Sequence, residues 1–379
     1  MGAKEEESLY MSVNCGIVGL PNVGKSTIFS GLSATKAEVA NYAFCTIEPN
    51  KSIVNVPDAR LDRINTINPA EKVLFATMEF VDIAGLVAGA SKGEGLGNKF
   101  LANIRQTGMI AHVVRCFDDP DMIHVMGSID PVRDIGIIDT ELILADLETV
   151  LNRLEKNQRL KKNPDKKVSG KAIAEEAFLQ RLSAHLEEDL PARALEISDD
   201  EALIMQELFL ITAKSELLVC NVDEASINQE NQYVQAVREL AKATNREVIT
   251  LCGKLEAEIS ELEDADERAL FLAEAGITIT GLQQLSQKAY HMLNLRTFFT
   301  VGQKENRAWT FHEGDKAPRA AAVIHTDFEK GFIKAEVYHC EDLFALGSES
   351  AIKSKGKLRQ EGKEYVVQDG DVIFFKFNL

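Results

Sequence analysis

The chain lacks the features that mark membrane-spanning, secreted and disulfide-rich proteins. Its 379 residues contain no run of 18 apolar residues, so no membrane-spanning helix is expected. Residues 1–11 are acidic and have no apolar centre, which argues against a signal peptide and favours a disordered extension, or a cloning remnant, over residues 1–12. The six cysteines form no C-x-x-C pair, which predicts buried thiols in a reducing cytosol rather than a disulfide framework or a zinc site.

An excess of basic charge is also missing, except in one segment. The net charge of −17 argues against a protein that coats DNA. Residues 153–171 nevertheless contain eight lysines and arginines and only two acidic residues. One explanation is that these residues are simply the solvated ends of helices and bind no partner. Its isolation in so acidic a chain favours a polyanionic partner instead.

The length of the chain predicts two or three domains.

The strongest motif lies between Cys15 and Thr27, CGIVGLPNVGKST. It matches G-x-x-x-x-G-K-S/T from Gly19 to Ser26, after a short apolar run and before a helical pattern. Glycines at this spacing let successive backbone N–H groups cradle phosphates. Lys25 can reach the β- and γ-phosphates, and the Ser26 hydroxyl can bind Mg²⁺. A glycine-rich turn without a ligand is the alternative, but such a turn does not need the Lys-Ser pair.

Two later segments supply candidates for the metal side of this site. Thr46 lies in a polar loop over 34–50 and is our candidate for a second hydroxyl near the metal, although it can also be an ordinary loop threonine. Asp82 ends an apolar strand pattern and begins a D-x-x-G sequence, the position of a metal-side carboxylate. Leu86 follows where many GTPases have a glutamine that orients water. The sequence therefore predicts slow hydrolysis, or another group that positions the water.

The rest of the chain alternates strand and helix patterns, which predicts a doubly wound, mostly parallel sheet with its ligand at the carboxyl ends of the strands. His112, at the start of an apolar strand, is either satisfied by its backbone surroundings or a catalytic, water-positioning residue. Helical patterns over 139–160 and 172–190 predict an antiparallel coiled-coil arm with the basic segment at its tip, followed by a third helix over 198–210.

Residues 300–379 differ in character and predict a small α+β domain with a mixed sheet and a binding role. The predicted strands are 320–325, 334–338, 364–367 and 372–377. A tight turn is expected at Asp369-Gly370.

The sequence Asn221-Val222-Asp223-Glu224 bears on the purine base. GTPases have N-K-x-D after this strand, and the aspartate accepts two hydrogen bonds from guanine. In this chain Val222 stands in place of the lysine, and Glu224 carries its carboxylate on a side chain one methylene longer than that of the aspartate. Guanine selectivity is therefore weakened, while adenine selectivity is not established by these residues alone.

Six segments together resemble the Obg-like ATPase (YchF) family. They are GLPNVGKST, FCTIEPN, VDIAGLVAGASKGEGLGNKFL, HVVRCF, NVDE and RAWTFHEGDKAPRAAAVIHTDFEKGFIKAEV. The resemblance runs from about residue 13 to residue 379. It implies a P-loop domain formed by 13–138 and 211–299, a coiled-coil insertion at 139–210, and a C-terminal TGS domain of β-grasp fold at 300–379.

The same resemblance implies slow, Mg²⁺-dependent ATP hydrolysis by a cytoplasmic protein, expected to be a monomer. It also implies association with ribosomes or ribosomal RNA through the basic tip and the TGS domain. Two alternatives stay open: a nucleotide-gated binding protein in which hydrolysis is incidental, and a GTPase.

Site residues follow from the resemblance as well. The implied nucleotide contacts are Asn22, Val23, Gly24, Lys25, Ser26, Thr27, Asn221, Val222, Glu224 and Gly253. The implied metal ligands are Ser26, Thr46 and Asp82, and the implied catalytic residues are Lys25 and His112. Leu86 would be the family's apolar substitute for glutamine, and a loop over 254–257 would close over the base.

Three further positions relate to the family. A potassium site beside Asn22 is left open. Ala43 and Ala88 depart from the family's usual proline and lysine. The first departure predicts a more flexible loop around Thr46, and the second puts a phosphate or RNA contact from position 88 in doubt.

Overall fold

The computed structural model describes residues 13–34, 50–83, 96–262 and 264–378. These residues form two compact units. The first contains 13–34, 50–52, 79–83 and the described part of 96–282, and the second contains 53–78 and 283–378. Within the described ranges, no helix is long and apolar enough to span a membrane. The domain boundaries given above remain predictions.

The strands are β1 Asn14–Val18, β2 Lys51–Val56, β3 Lys72–Leu74, β4 Ala76–Asp82, β5 Met109–Arg115, β6 Glu216–Asn221, β7 Glu247–Leu251, β8 Leu295–Thr300, β9 Glu305–His312, β10 Phe332–His339, β11 Arg359–Glu361 and β12 Asp371–Phe377.

The helices are α1 Lys25–Ala34, α2 Ala59–Ile67, α3 Leu96–Arg105, α4 Pro131–Leu160, α5 Lys166–Glu187, α6 Asp199–Leu208, α7 Gln232–Ala243, α8 Gly253–Glu261, α9 Ala265–Glu274, α10 Gly281–Met292, α11 Ala317–Ile324, α12 Thr326–Lys330, α13 Cys340–Leu346 and α14 Glu349–Ser354.

The first sheet has the strand order β2-β4-β1-β5-β6-β7. The pairings that join β4, β1, β5, β6 and β7 are all parallel. Every residue of β5 and β6 is buried, as expected for parallel strands covered on both faces. The predicted mostly parallel, doubly wound sheet is thus confirmed. Its strand order brings the carboxyl ends of β1, β4 and β6, which carry the motifs, to one edge.

The helical arm consists of α4 and α5, joined by the turn 161–165, and the predicted antiparallel helix pair is present. Helix α4 begins eight residues earlier than predicted because Asp130 caps it, accepting a hydrogen bond from the Arg133 N–H at 3.1 Å. Helix α5 begins six residues earlier because Asp165 accepts from the Lys167 N–H at 2.8 Å. Most of the basic segment is therefore helical.

The second unit contains a mixed sheet of order β11-β10-β12-β8-β9-β3. Strand β3, from the first quarter of the chain, pairs in parallel with β9 and completes this sheet. The guanidinium of Arg60 on α2 holds the Asp369 carboxylate at 2.8 and 3.2 Å, and this carboxylate also accepts from the Thr297 N–H at 2.9 Å. The predicted tight turn follows at Gly370, whose φ is +91°.

Two predicted strands of the second unit were wrong. Residues 320–325 belong largely to α11, which has Pro318 in its first turn. Residues 364–367 form no strand, and Val366 makes only an isolated bridge to Lys316. A short apolar run has no period that separates a buried helix from a strand, so the sequence pattern could not decide between them. The patterns in the sequence predicted none of the strands β3, β8, β9 and β11.

Candidate nucleotide-binding site

The glycine-rich loop connects β1 to α1 and has the backbone shape of a phosphate cradle. Asn22 and Gly24 both have positive φ angles, 63° and 90°. A Cβ atom built on Gly19 would lie 2.6 Å from the Val113 carbonyl oxygen. One built on Gly24 would lie 2.0 Å from Asn221 Nδ2. Neither position can hold a side chain without a shift of its neighbours, so the loop requires both glycines.

Lys25 and Asp82 are brought together by the parallel pairing of β1 with β4, in which Ile17 and Asp82 are register partners. The Lys25 Nζ atom lies 2.7 Å from Asp82 Oδ1. The hydroxyls of Ser26 and Thr27 are on exposed residues of the first turn of α1. An oxygen donor set suited to Mg²⁺, the Ser26 hydroxyl and the Asp82 carboxylate, is thus carried by elements that adjoin the cradle. Thr46, Leu86, Ala43 and Ala88 lie outside the described residues.

Asn221 links the loop to two other elements from the end of β6. Its Nδ2 donates to the Val23 carbonyl at 2.9 Å, and its Oδ1 accepts from the Gly253 N–H at 2.9 Å. The residue is only 4% exposed. The backbone N–H of Val222 donates to the Leu251 carbonyl at 2.9 Å. A base contact from the Val222 backbone would therefore have to use its carbonyl group.

The segment 254–257 is not the loop that we predicted but the first turn of α8. Leu255 and Glu256 are buried, and the Glu256 carboxylate accepts from the N–H groups of Gly281 and Leu282. Glu256 is thereby held at the start of α10. The buried side chains of Leu255 and Glu256 therefore cannot move over a base. Lys254 alone extends into solvent from this turn.

Glu224 and Lys254 form an ion pair beside the end of β6. The Lys254 Nζ atom lies 2.9 Å from Glu224 Oε1 and 3.8 Å from Glu258 Oε1. The hydrogen bond and charge of Glu224 raise the pKa of Lys254. Glu224 follows Asp223, whose side chain caps a short 3-10 turn by accepting from the Ser226 N–H at 2.9 Å.

His112 lies in the middle of β5 and is 1% exposed. Its Nδ1 is 3.0 Å from Glu216 Oε1, at the first residue of β6. Arg193 and Arg246 also contact Glu216, at 2.6 and 3.1 Å. Burial alone would raise the pKa of Glu216, but the His112 hydrogen bond and the two guanidinium charges outweigh it and lower the pKa to about 2. These contacts point toward the amino end of β6, away from the cradle.

His112, Glu216 and Asp139 could be taken for a metal site, since one ligand atom of each lies within 4.8 Å of the others. Arg246 contacts both carboxylates, however, and Arg193 contacts one of them. The two cations already neutralise the two acids, so a divalent ion would meet like charges. The cluster is a buried ion-pair network. The catalytic role of His112 remains a prediction.

Sequence reasoning passed over His124, which the structure brings to the rim of the loop. The Asn22 Nδ2 donates to the Ile123 carbonyl at 3.2 Å. The His124 Nδ1 accepts from the Met126 N–H at 3.1 Å, so Nε2 carries the proton that it donates to Asp134 Oδ2 at 2.8 Å. The segment 117–130 has no helical or strand period, and nothing in its pattern marks this histidine.

A cradle that requires two glycines, with its lysine held by a strand-end aspartate, defines a P-loop protein that binds nucleoside triphosphates. Its order of motifs is that of the GTPase-like branch. A family model described as "50S ribosome-binding GTPase" matches residues 14–162. A second, for the YchF-GTPase C-terminal region and described as a protein of unknown function, matches residues 295–378.

The chain belongs to the YchF family, as the resemblance predicted. It is 50% identical over 371 residues to the ribosome-binding ATPase YchF of Bacillus subtilis, covering 97% of this chain and all of that protein. It is 48% identical over 369 residues to the protein of the same name from Escherichia coli O157:H7, with the same coverage. The solved structure of the Schizosaccharomyces pombe YchF GTPase matches with a TM-score of 0.86 and 35% identity, covering 97% of this chain and 98% of that one.

The names of these relatives disagree about the nucleotide, because the bacterial proteins are called ATPases and the yeast protein a GTPase.

Proposed function

We propose that this protein is a cytoplasmic, ribosome-associated switch that binds ATP with Mg²⁺ and hydrolyses it slowly. The observation that carries the proposal is the 2.7 Å contact between Lys25 Nζ and Asp82 Oδ1 beside the cradle. The contact supports a site in which the lysine and the Asp82 carboxylate lie near the terminal phosphate and its metal ion. The names of the bacterial relatives, ribosome-binding ATPases, support the activity and the partner.

In this proposal the chain contributes positions and charges rather than a covalent step. The backbone N–H groups of residues 22–27 bind the phosphate oxygens, and Lys25 neutralises the charge that develops on the γ-phosphoryl group. The Ser26 hydroxyl and Asp82 would hold Mg²⁺, which shields the phosphate charge when it is bound, and Thr46 is the further proposed ligand. A potassium ion beside Asn22 is a subsidiary proposal, tested by comparing hydrolysis in potassium and sodium salts.

Slow turnover follows from Leu86, which cannot hydrogen-bond to water. Water attacks the γ-phosphorus in line, the bond to the β-γ bridging oxygen breaks, and ADP and phosphate leave. His112 is the proposed residue that assists the water, and its ring would have to exchange its contact with Glu216 for one with the water. A partner that supplies a polar group would accelerate the same step.

The basic arm supports contact with ribosomal RNA. Four of its eight basic side chains are already paired with acids in Arg153–Glu175, Arg159–Glu155, Lys161–Glu176 and Lys171–Glu207. The other four form no ion pair with any described residue, and they are Lys156, Lys162, Lys166 and Lys167. These four lysines, the tip lysines, are the proposed phosphate contacts. The sheet of the second unit is proposed as a further binding surface.

A nucleotide panel tests the proposal. ATP, GTP and ADP are titrated into the protein with Mg²⁺ and with EDTA, in the presence and absence of purified ribosomes. We expect ATP to bind more tightly than GTP. The variant Lys25→Ala should bind ATP at least about tenfold more weakly, because the phosphate charge is no longer matched. Lys242→Ala, on an exposed face of α7, is the control and should bind normally. Tighter binding of GTP would overturn the proposed substrate.

The alternative of a nucleotide-gated binding protein with incidental hydrolysis is supported by the tip lysines. It is also supported by the described residues of the second unit, among which we find no catalytic group. It differs from the main proposal in one measurable respect. Ribosome binding should depend on the bound nucleotide but not on its hydrolysis, so a non-hydrolysable ATP analogue should act like ATP. Equal binding with ATP, ADP and no nucleotide would exclude a gated role.

A further inference from the structure

An exposed ion pair joins the residues after β6 to the start of α8. Glu224 follows β6, Lys254 follows β7, and these two strands are parallel neighbours. The hydrogen bond from the Gly253 N–H to Asn221 Oδ1 draws the two strand ends together. The Glu224 side chain is 53% exposed and that of Lys254 is 74% exposed, yet they meet at 2.9 Å.

The position of Glu224 matters because its GTPase counterpart is the aspartate of N-K-x-D. A carboxylate there recognises guanine by accepting from N1–H and N2–H, whereas adenine presents a lone pair at N1 and repels it. A carboxylate that binds an ammonium group is partly neutralised and is turned toward that group. Its capacity to accept hydrogen bonds from guanine is thereby reduced.

We infer that Lys254 is a specificity-determining residue, which favours adenine over guanine by holding the Glu224 carboxylate away from the base. The inference rests on the proposed binding of ATP at this site. Lys254 touches neither the phosphates nor the metal ligands in this scheme. It acts by withdrawing the one acceptor that would otherwise recognise guanine.

The main test is Lys254→Met, which keeps the length of the side chain and removes its charge. We expect GTP to bind about threefold to fivefold more tightly, because exposed ion pairs are worth no more than that. ATP should bind equally or slightly less well. The gain for ITP, which lacks the 2-amino group, should be smaller than the gain for GTP. An ATP-to-GTP affinity ratio that stays as in the parent protein, or GTP binding that remains undetectable, would overturn the inference.

Two variants separate this effect from a general change of surface charge. The double variant Lys254→Met/Glu224→Gln should lose the gain in GTP affinity, since the freed carboxylate is gone. Glu258→Gln removes the other acid near Lys254, at 3.8 Å, and should leave the affinity ratio unchanged. A gain for GTP that persists in the double variant would show that Glu224 is not the acceptor and would refute the inference.

Salt gives a readout on the parent protein itself. Because the pair is exposed, about 0.5 M KCl should weaken it and lower the ATP-to-GTP ratio, while Lys254→Met should show no such dependence. Failure of the inference differs from failure of the proposed function. If ATP does not bind to the parent protein, the proposed function is wrong. If ATP binds but the ATP-to-GTP affinity ratio is the same with and without Lys254, only the inference is wrong.

Discussion

Asn221 fastens the phosphate-binding loop from a strand that lies almost two hundred residues further along the chain, through the 2.9 Å hydrogen bond from its Nδ2 to the Val23 carbonyl. The same amide accepts from the Gly253 N–H. One buried side chain thus joins the phosphate-binding loop to the end of β6 and the start of α8.

Replacement of this residue by Asn221→Ala should both destabilise the protein and weaken ATP binding. A buried carbonyl and a buried N–H would lose their partners, at a cost of about 2–4 kcal/mol in the free energy of unfolding. We expect ATP affinity to fall by more than about tenfold because the loop loses its support. Chemical denaturation and ATP titration measure the two effects. Asn228→Ala, which removes an exposed hydrogen bond to the Ala275 carbonyl, is the control and should change neither by much.

Asp82→Asn tests the metal side of the site. The amide is nearly isosteric, so the fold should persist, while the loss of charge weakens both the hold on Lys25 and the attraction for Mg²⁺. ATP affinity measured with Mg²⁺ should fall by about tenfold. Affinity measured in EDTA should change much less. Equal losses under both conditions would show that Asp82 serves the lysine and not the metal.

His112→Gln and His124→Gln form a matched pair for the assignment of the catalytic histidine. A catalytic His112 predicts that its variant lowers the single-turnover rate at saturating ATP by at least about tenfold, since general acid–base groups contribute that much or more. His124→Gln alters a ring next to the Asn22–Ile123 contact and is compared in the same assay. A rate loss confined to the His124 variant would assign the catalytic role to His124. An unchanged rate in the His112 variant would show that His112 is not catalytic and serves only to bind Glu216.

Acid should lower the free energy of unfolding by protonating Glu216. Its folded pKa, about 2, is lower than the ordinary glutamate value of 4.5, so its contribution to stability is complete above the unfolded pKa and is lost as pH falls from about 4.5 toward 2. The shift corresponds to about 3 kcal/mol. Groups facing it are His112, Arg193, Arg246 and Asp139, and burial beside Glu216 raises the pKa of Asp139, which opposes the effect.

The measurement for Glu216 is the free energy of unfolding between pH 7 and pH 3. Glu216→Gln should be less stable at pH 7, because two guanidinium groups lose a carboxylate, and the difference from the parent should shrink as pH falls. Glu239→Gln, an exposed glutamate on α7, should follow the parent at every pH. A difference that stays constant across this range would contradict the low pKa.

Changing all four tip lysines to glutamine should weaken ribosome binding and make it less sensitive to salt. Each phosphate contact that is lost should reduce the slope of log K against log salt by about 0.7 to 0.9. Arg159→Gln is the control, because its guanidinium is already paired with Glu155. Co-sedimentation at several KCl concentrations gives the slopes. An unchanged slope in the quadruple variant would remove the arm from the proposed interface.

The phosphate cradle and the helical arm could both be predicted from local sequence patterns. The glycines, Lys25 and Ser26 lie within one short segment, and their spacing specifies the backbone without help from distant residues. The apolar repeat of the arm likewise predicted two helices, although the caps Asp130 and Asp165 extended both toward their amino ends. Family membership followed from the same local motifs and was confirmed over 97% of the chain.

The pairing of the polar groups could not be predicted before the folded structure was known. The bond of His112 to Glu216, the Glu224–Lys254 pair and the completion of the second sheet by β3 all join segments far apart in the chain. Residues 317–324 became a helix although their apolar run suited a strand equally well. Spacing within one segment encodes local backbone shape. The partner of a buried charge depends instead on the register of strands that come together only when the chain folds.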